Sequence, residues 1–113
     1  MTTEKTINYI PAREYTPGTN KKYHSVFLKD IQGQREMFYL RIEDAEALVA
    51  GHTPRNLTLY RQLRVIRRGD EPGIIGVHTE PTRDLNGILG KLKEELEKQR
   101  MGGRRWKIFL KDF

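Results

Sequence analysis

Apolar and polar side chains alternate along two neighbouring stretches, "KYHSVFLKDI" (22–31) and "REMFYLRI" (35–42). A period of two is the pattern of a strand, and both stretches are rich in β-branched and aromatic residues. Between them lies "QGQ", where Gly33 supplies the positive φ of a tight turn, so the pair predicts a hairpin. In its second arm Phe38, Leu40 and Ile42 share one face, while Met37, Tyr39 and Arg41 share the other. The period then lengthens. "EDAEALVAG" (43–51) predicts a short helix, with acids placed to meet the N-terminal dipole and Gly51 placed to end it.

A further long strand is predicted over "LTLYRQLRVIRR" (57–68), with Leu57, Leu59, Leu63 and Val65 on one side and Tyr60, Gln62, Arg64 and Arg68 on the other. Arg61 and Ile66 depart from this alternation. "GDEPG" turns the chain into a further strand, "IIGVH" (74–78). "TRDLNGILGKLKEELEKQR" (82–100) carries Leu85, Ile88, Leu89, Leu92 and Leu96 as a helical stripe, and Gly87 and Gly90 are expected to let its start approach another backbone. A last strand is expected in "RRWKIFLKDF" (104–113). It sets Trp106, Ile108 and Leu110 against Arg105, Lys107, Phe109 and Lys111. At the other end, a strand over Thr6–Ile10 leads into an arm marked by Pro11, Pro17, Gly18 and Asn20.

Runs of consecutive strands favour antiparallel pairing, and one-sided helix stripes favour helices on one face of a sheet. The expected fold is α+β: an antiparallel sheet of about five or six strands with two helices, the longer one (about 82–100) packed on one sheet face. Residues 1–20 form an N-terminal arm, partly irregular, and residues 21–113 a single α+β domain. The length of 113 residues suits one domain.

Composition narrows the chemistry. The absence of cysteine excludes disulfides, thiolate zinc sites and a cysteine nucleophile. No apolar run approaches membrane-spanning length and "MTTEKTINYI" has no signal-peptide hydrophobic region, so the expectation is a cytoplasmic protein without a membrane partner. The net charge is +6, and it is segregated. Residues 55–68 hold Arg55, Arg61, Arg64, Arg67 and Arg68 and no acid; residues 100–113 hold Arg100, Arg104, Arg105, Lys107 and Lys111 against Asp112 alone. These two stretches exceed the whole net charge, so the rest of the chain is net acidic. Segregated positive charge is what a footprint for a polyanion requires.

With both helices on one sheet face, the opposite face would display Tyr39, Arg41, Tyr60, Arg64, Arg68, Arg105, Lys107 and Phe109. Aromatic rings offer bases a stacking surface, and guanidinium groups offer forked donors to phosphates. That combination points to a nucleic-acid-binding protein, with single-stranded DNA or RNA favoured over duplex. Basic outward positions also keep a sheet soluble and protect its edges. The competing reading is a non-enzymatic assembly or regulatory subunit whose basic surface docks an acidic protein. Several outward aromatics also suggest self-association, as a homodimer through a strand edge or the long helix.

No catalytic motif emerges, and neither a cofactor nor a metal is expected. "NGILGKL" fails as a phosphate loop, because Leu85 stands where the first glycine belongs and Leu92 follows Lys91 where Ser or Thr would hold magnesium. "GIIG" lies between strands, where a nucleic-acid-clamping GxxG should join two helices. His24, His52 and His78 have no metal-ligand spacing.

Overall fold

A computed structural model describes residues 9–29, 32–70 and 73–102. The strand expected over residues 104–113 lies outside them. So do Arg105, Lys107 and Phe109.

The expected hairpin forms from β2 (Tyr23–Lys29) and β3 (Arg35–Arg41), in continuous antiparallel register from Tyr23 opposite Arg41 to Lys29 opposite Arg35. Gly33 supplies the turn with φ +85°. β3 runs directly into α1 (Ile42–Val49), whose first turn carries Glu43 and Asp44. The helix ends at Gly51, φ +90°, with Gly51 N–H on the Leu48 carbonyl and His52 N–H on the Ala47 carbonyl, so its last carbonyls are satisfied. β4 (Tyr60–Arg67) and β5 (Ile74–Pro81) make the second hairpin, and α2 (Leu85–Gly102) closes the described chain. At the N-terminal side β1 (Tyr9–Pro11) pairs with β5. The sheet order is β1-β5-β4-β3-β2, every neighbouring pair antiparallel. The fold is α+β.

One face of the sheet holds the main core. Alternation in β2 and β3 sends Val26, Leu28, Phe38 and Leu40 to that face, where Ala45, Leu48 and Val49 of α1 meet Leu92 and Leu96 of α2. Leu57 and Leu59, in the approach to β4, are buried in the same cluster, and Leu85, Ile88 and Leu89 complete the α2 stripe against it. α2 is tied to β2 at two points: Lys91 Nζ donates to the Lys29 carbonyl at 3.1 Å, and His24 Nε2 meets Gln99 Oε1 at 2.9 Å. The start of α2 is capped by Asp84, whose Oδ1 accepts from Gly87 N–H at 3.2 Å. Gly87 is therefore overlain by this capping carboxylate rather than by a neighbouring backbone, and a side chain at Gly90 would meet open space.

The opposite face is not bare. Ile10, Tyr39 and Val77 are buried there, with Tyr15, Tyr23, Met37 and Tyr60 packed around them. After β1 the chain makes a 3-10 turn, Ala12–Glu14, which returns across β5 and sets the Tyr15 ring 5.0 Å from that of Tyr39. Residues 9–15 therefore join the sheet and its second apolar layer.

β4 breaks the expected alternation. Gln62 pairs with Thr79 but Arg64 pairs with His78, so Leu63 is an extra residue in a β-bulge. Neighbours on a strand point to opposite faces, so this single insertion moves Arg64 away from the Tyr60 and Gln62 side. Arg64 instead shares its face with His78 and Tyr9.

Candidate nucleic-acid interface

Where β3 meets α1, the start of β2 and the start of β4 enclose a cavity of about 620 Å³ lined by Lys21, Lys22, Tyr23, Arg41, Ile42, Glu43 and Tyr60. The hairpin register builds it, because Tyr23 and Arg41 are cross-strand partners while Tyr60 sits opposite Tyr39 on the next strand. The rings of Tyr23 and Tyr60 stand nearly perpendicular, at 84°, with centroids 6.2 Å apart. Backbone bonds hold Lys22 from both sides: its N–H donates to the Glu14 carbonyl at 2.7 Å, and its carbonyl accepts from Ile42 N–H at 3.1 Å. Two lysines thus flank the aromatic pair from an anchored segment.

The cavity is lined by three cations and one acid, Glu43, and a second acid, Glu14, reaches Lys22. Arg41 Nη2 donates to Glu43 Oε2 at 2.7 Å, and Lys22 Nζ lies 3.7 Å from Glu14 Oε2. Both side chains of the Arg41–Glu43 pair are 63% exposed, so water screens the attraction and the pair contributes little stability. Glu43 occupies only one end of a guanidinium that carries five N–H donors. Burial, followed by the neighbouring Tyr60 and Glu14, raises the pKa of the Tyr23 hydroxyl above its ordinary value, so it stands as a neutral donor at physiological pH.

Of the residues expected to form a binding face, the cavity unites Arg41 and Tyr60. Tyr39 lies beneath the surface, 2% exposed, under Tyr15 and with its hydroxyl donating to Gln62 Oε1 at 2.7 Å. It is a core residue rather than a stacking surface. Arg64 is exposed on the other side of the sheet, and Arg68 is exposed just past the end of β4. Arg61, also in the basic block, is engaged by Glu80 at 2.8 Å and Glu36 at 3.7 Å.

Lys21, Lys22 and Tyr23 escaped the sequence reading. Their signal was the adjacent "KKY", but it falls where an irregular arm gives way to a strand. No periodicity there assigns the two lysines to a face.

Among the described residues, no group of three or more His, Asp or Glu side chains is placed to hold a metal ion, and no helix is long and apolar enough to cross a membrane. Comparison with known proteins finds no matching protein family, no matching curated protein and no matching solved structure.

Proposed function

We propose that the protein binds single-stranded nucleic acid, DNA or RNA, at the Tyr23–Tyr60 cavity. The observation that carries this reading is the convergence of two tyrosine rings with Lys21, Lys22 and Arg41 around one opening of about 620 Å³. An unpaired base exposes an aromatic face that a tyrosine ring can stack on, and its flanking phosphates seek cations. In this arrangement Tyr60 and Tyr23 contact the base, and Lys21, Lys22 and Arg41 take the phosphates on either side. Glu43 is the acceptor positioned to meet the amino group of a base. A duplex buries its base faces in its own stack, so the pocket favours single strands.

Titration of the protein into labelled single-stranded DNA, single-stranded RNA and duplex of matched sequence, at low salt, tests the proposal. Retention of either single strand above the duplex is expected, with loss in Tyr60→Ala and Arg41→Gln. No measurable retention of either single strand would sink it.

A further inference from the structure

The β4–β5 hairpin extends past the strands that flank it. β3 pairs with β4 only at Phe38 opposite Arg61 and Tyr39 opposite Tyr60, whereas β4 continues to Arg67. On the far side, among the described residues, β1 pairs with β5 from Gly76 to His78. The hairpin is two-stranded only at Arg67 opposite Ile74, because at Arg64–Ile66 β1 covers the far side of β5, while β4 there has no second neighbour among the described residues. The hairpin's aliphatic side chains are conspicuously exposed: Leu63 50%, Val65 36%, Ile74 40% and Ile75 37%. Exposed apolar groups beside unpaired strand edges are the features through which a strand recruits another.

We infer that the β4 edge, Leu63–Arg67, is a docking site for an extended acidic segment of a partner protein, which adds to β4 as a further strand. Length selects this edge over that of β5, where, among the described residues, only Ile74 and Ile75 extend beyond β1 and the Ile75 carbonyl already accepts from the Tyr9 hydroxyl at 3.0 Å. Charge selects the partner. Arg64, Arg67 and Arg68 are exposed along this edge, and among the described residues the next acid, Asp70, comes only in the turn beyond the strand. Arg64 and Arg68 have no ion pair among the described residues, so carboxylates at alternate positions of an added strand would find cations beside them. A second copy would bring the same arginines together. The chain's other basic stretch, residues 104–113, has the same sign as this edge. Nucleic acid fits less well: neither Leu63–Arg67 nor Ile74–Ile75 includes an aromatic, and Tyr9, on the face of Arg64, lies across β5 from this edge with its hydroxyl on the Ile75 carbonyl. Aliphatic side chains and open backbone bonds match a protein strand instead.

The test uses the full chain and a short peptide of alternating valine and glutamate, its valine–lysine counterpart, and the glutamate peptide N-methylated at alternate backbone positions. Binding is read by fluorescence anisotropy and by amide hydrogen exchange resolved by residue. The glutamate peptide should bind, slow exchange across residues 63–67, and weaken at least tenfold in Val65→Thr and in Arg64→Glu. Neither the lysine peptide nor the N-methylated peptide should bind. Equal binding by the N-methylated peptide would overturn strand addition, and equal binding by the lysine peptide would overturn the acidic partner. The inference also fails if sedimentation shows a dimer dissociated by Val65→Glu, or if a single-stranded oligonucleotide protects these same amides. Tyr60→Ala should leave peptide binding unchanged, which keeps this site separate from the nucleic-acid cavity.

Discussion

The Tyr39 hydroxyl donates to Gln62 Oε1 at 2.7 Å, joining the middle of β3 to β4 one residue before the Leu63 bulge. The bond is partly buried, and burial followed by the nearby Tyr15 raises the pKa of the Tyr39 hydroxyl. Tyr39→Phe removes the donor while keeping the ring. It should cost about 1 kcal/mol of stability, the usual net worth of such a bond, whereas Tyr39→Ala should cost about 3 to 5 kcal/mol through lost packing. Urea unfolding measures both. Because Tyr39 is a core residue, Tyr39→Phe should leave oligonucleotide affinity unchanged. A selective loss of affinity would place the hydroxyl at the binding surface instead.

Tyr60 and Arg41 should respond differently to salt. Tyr60→Ala should weaken single-strand binding by roughly 1 to 3 kcal/mol, the usual worth of a base stacked on an aromatic ring, with little change in salt dependence. Arg41→Gln should weaken binding and reduce the salt slope by about one phosphate equivalent. Affinities measured across a salt series separate the two. Identical salt slopes for Arg41→Gln and the unaltered chain would rule out a phosphate contact at Arg41.

Leu92 is fully buried between α2, α1 and the sheet. Its replacement by alanine should destabilise the protein by about 2 to 5 kcal/mol, from lost transfer energy and the cavity left behind. Leu63→Ala, at a side chain half exposed in the β4 bulge, should cost much less. Comparable losses at the two positions in chemical denaturation would contradict this division between core and exposed strand.

His24 gives stability a defined pH dependence. Burial lowers its pKa below the ordinary 6.5, opposed by the Gln99 hydrogen bond and assisted by nearby Lys21. A histidine with a lowered folded-state pKa takes up its proton more readily when the chain unfolds. Stability is therefore retained above about pH 6.5 and declines as pH falls from there towards the folded-state pKa. Replacing His24 with glutamine should flatten the decline within that window. Urea midpoints for both chains at several pH values provide the measurement, and parallel curves would exclude His24 as the source.

Local pattern was enough for much of the architecture. The β2–β3 hairpin follows from alternation around Gly33, α1 from a change of period bounded by early acids and Gly51, and α2 from its leucine stripe. These signals are legible because each depends on residues only a few positions apart. Leu92 and Leu96 could therefore be assigned to the core without knowing what would cover them. Tertiary structure decided the rest. Register against β5 makes Leu63 an extra residue, and that insertion carries Arg64 to the face opposite Tyr60. The return of the chain after β1 places Tyr15 over Tyr39, turning an outward aromatic position into a buried one. The backbone bonds from Lys22 to Glu14 and Ile42 bring "KKY" beside Arg41 and Tyr60. Periodicity determines which side chains can share a face of one element, whereas the pairing of distant segments determines whether that face is open, covered or reversed.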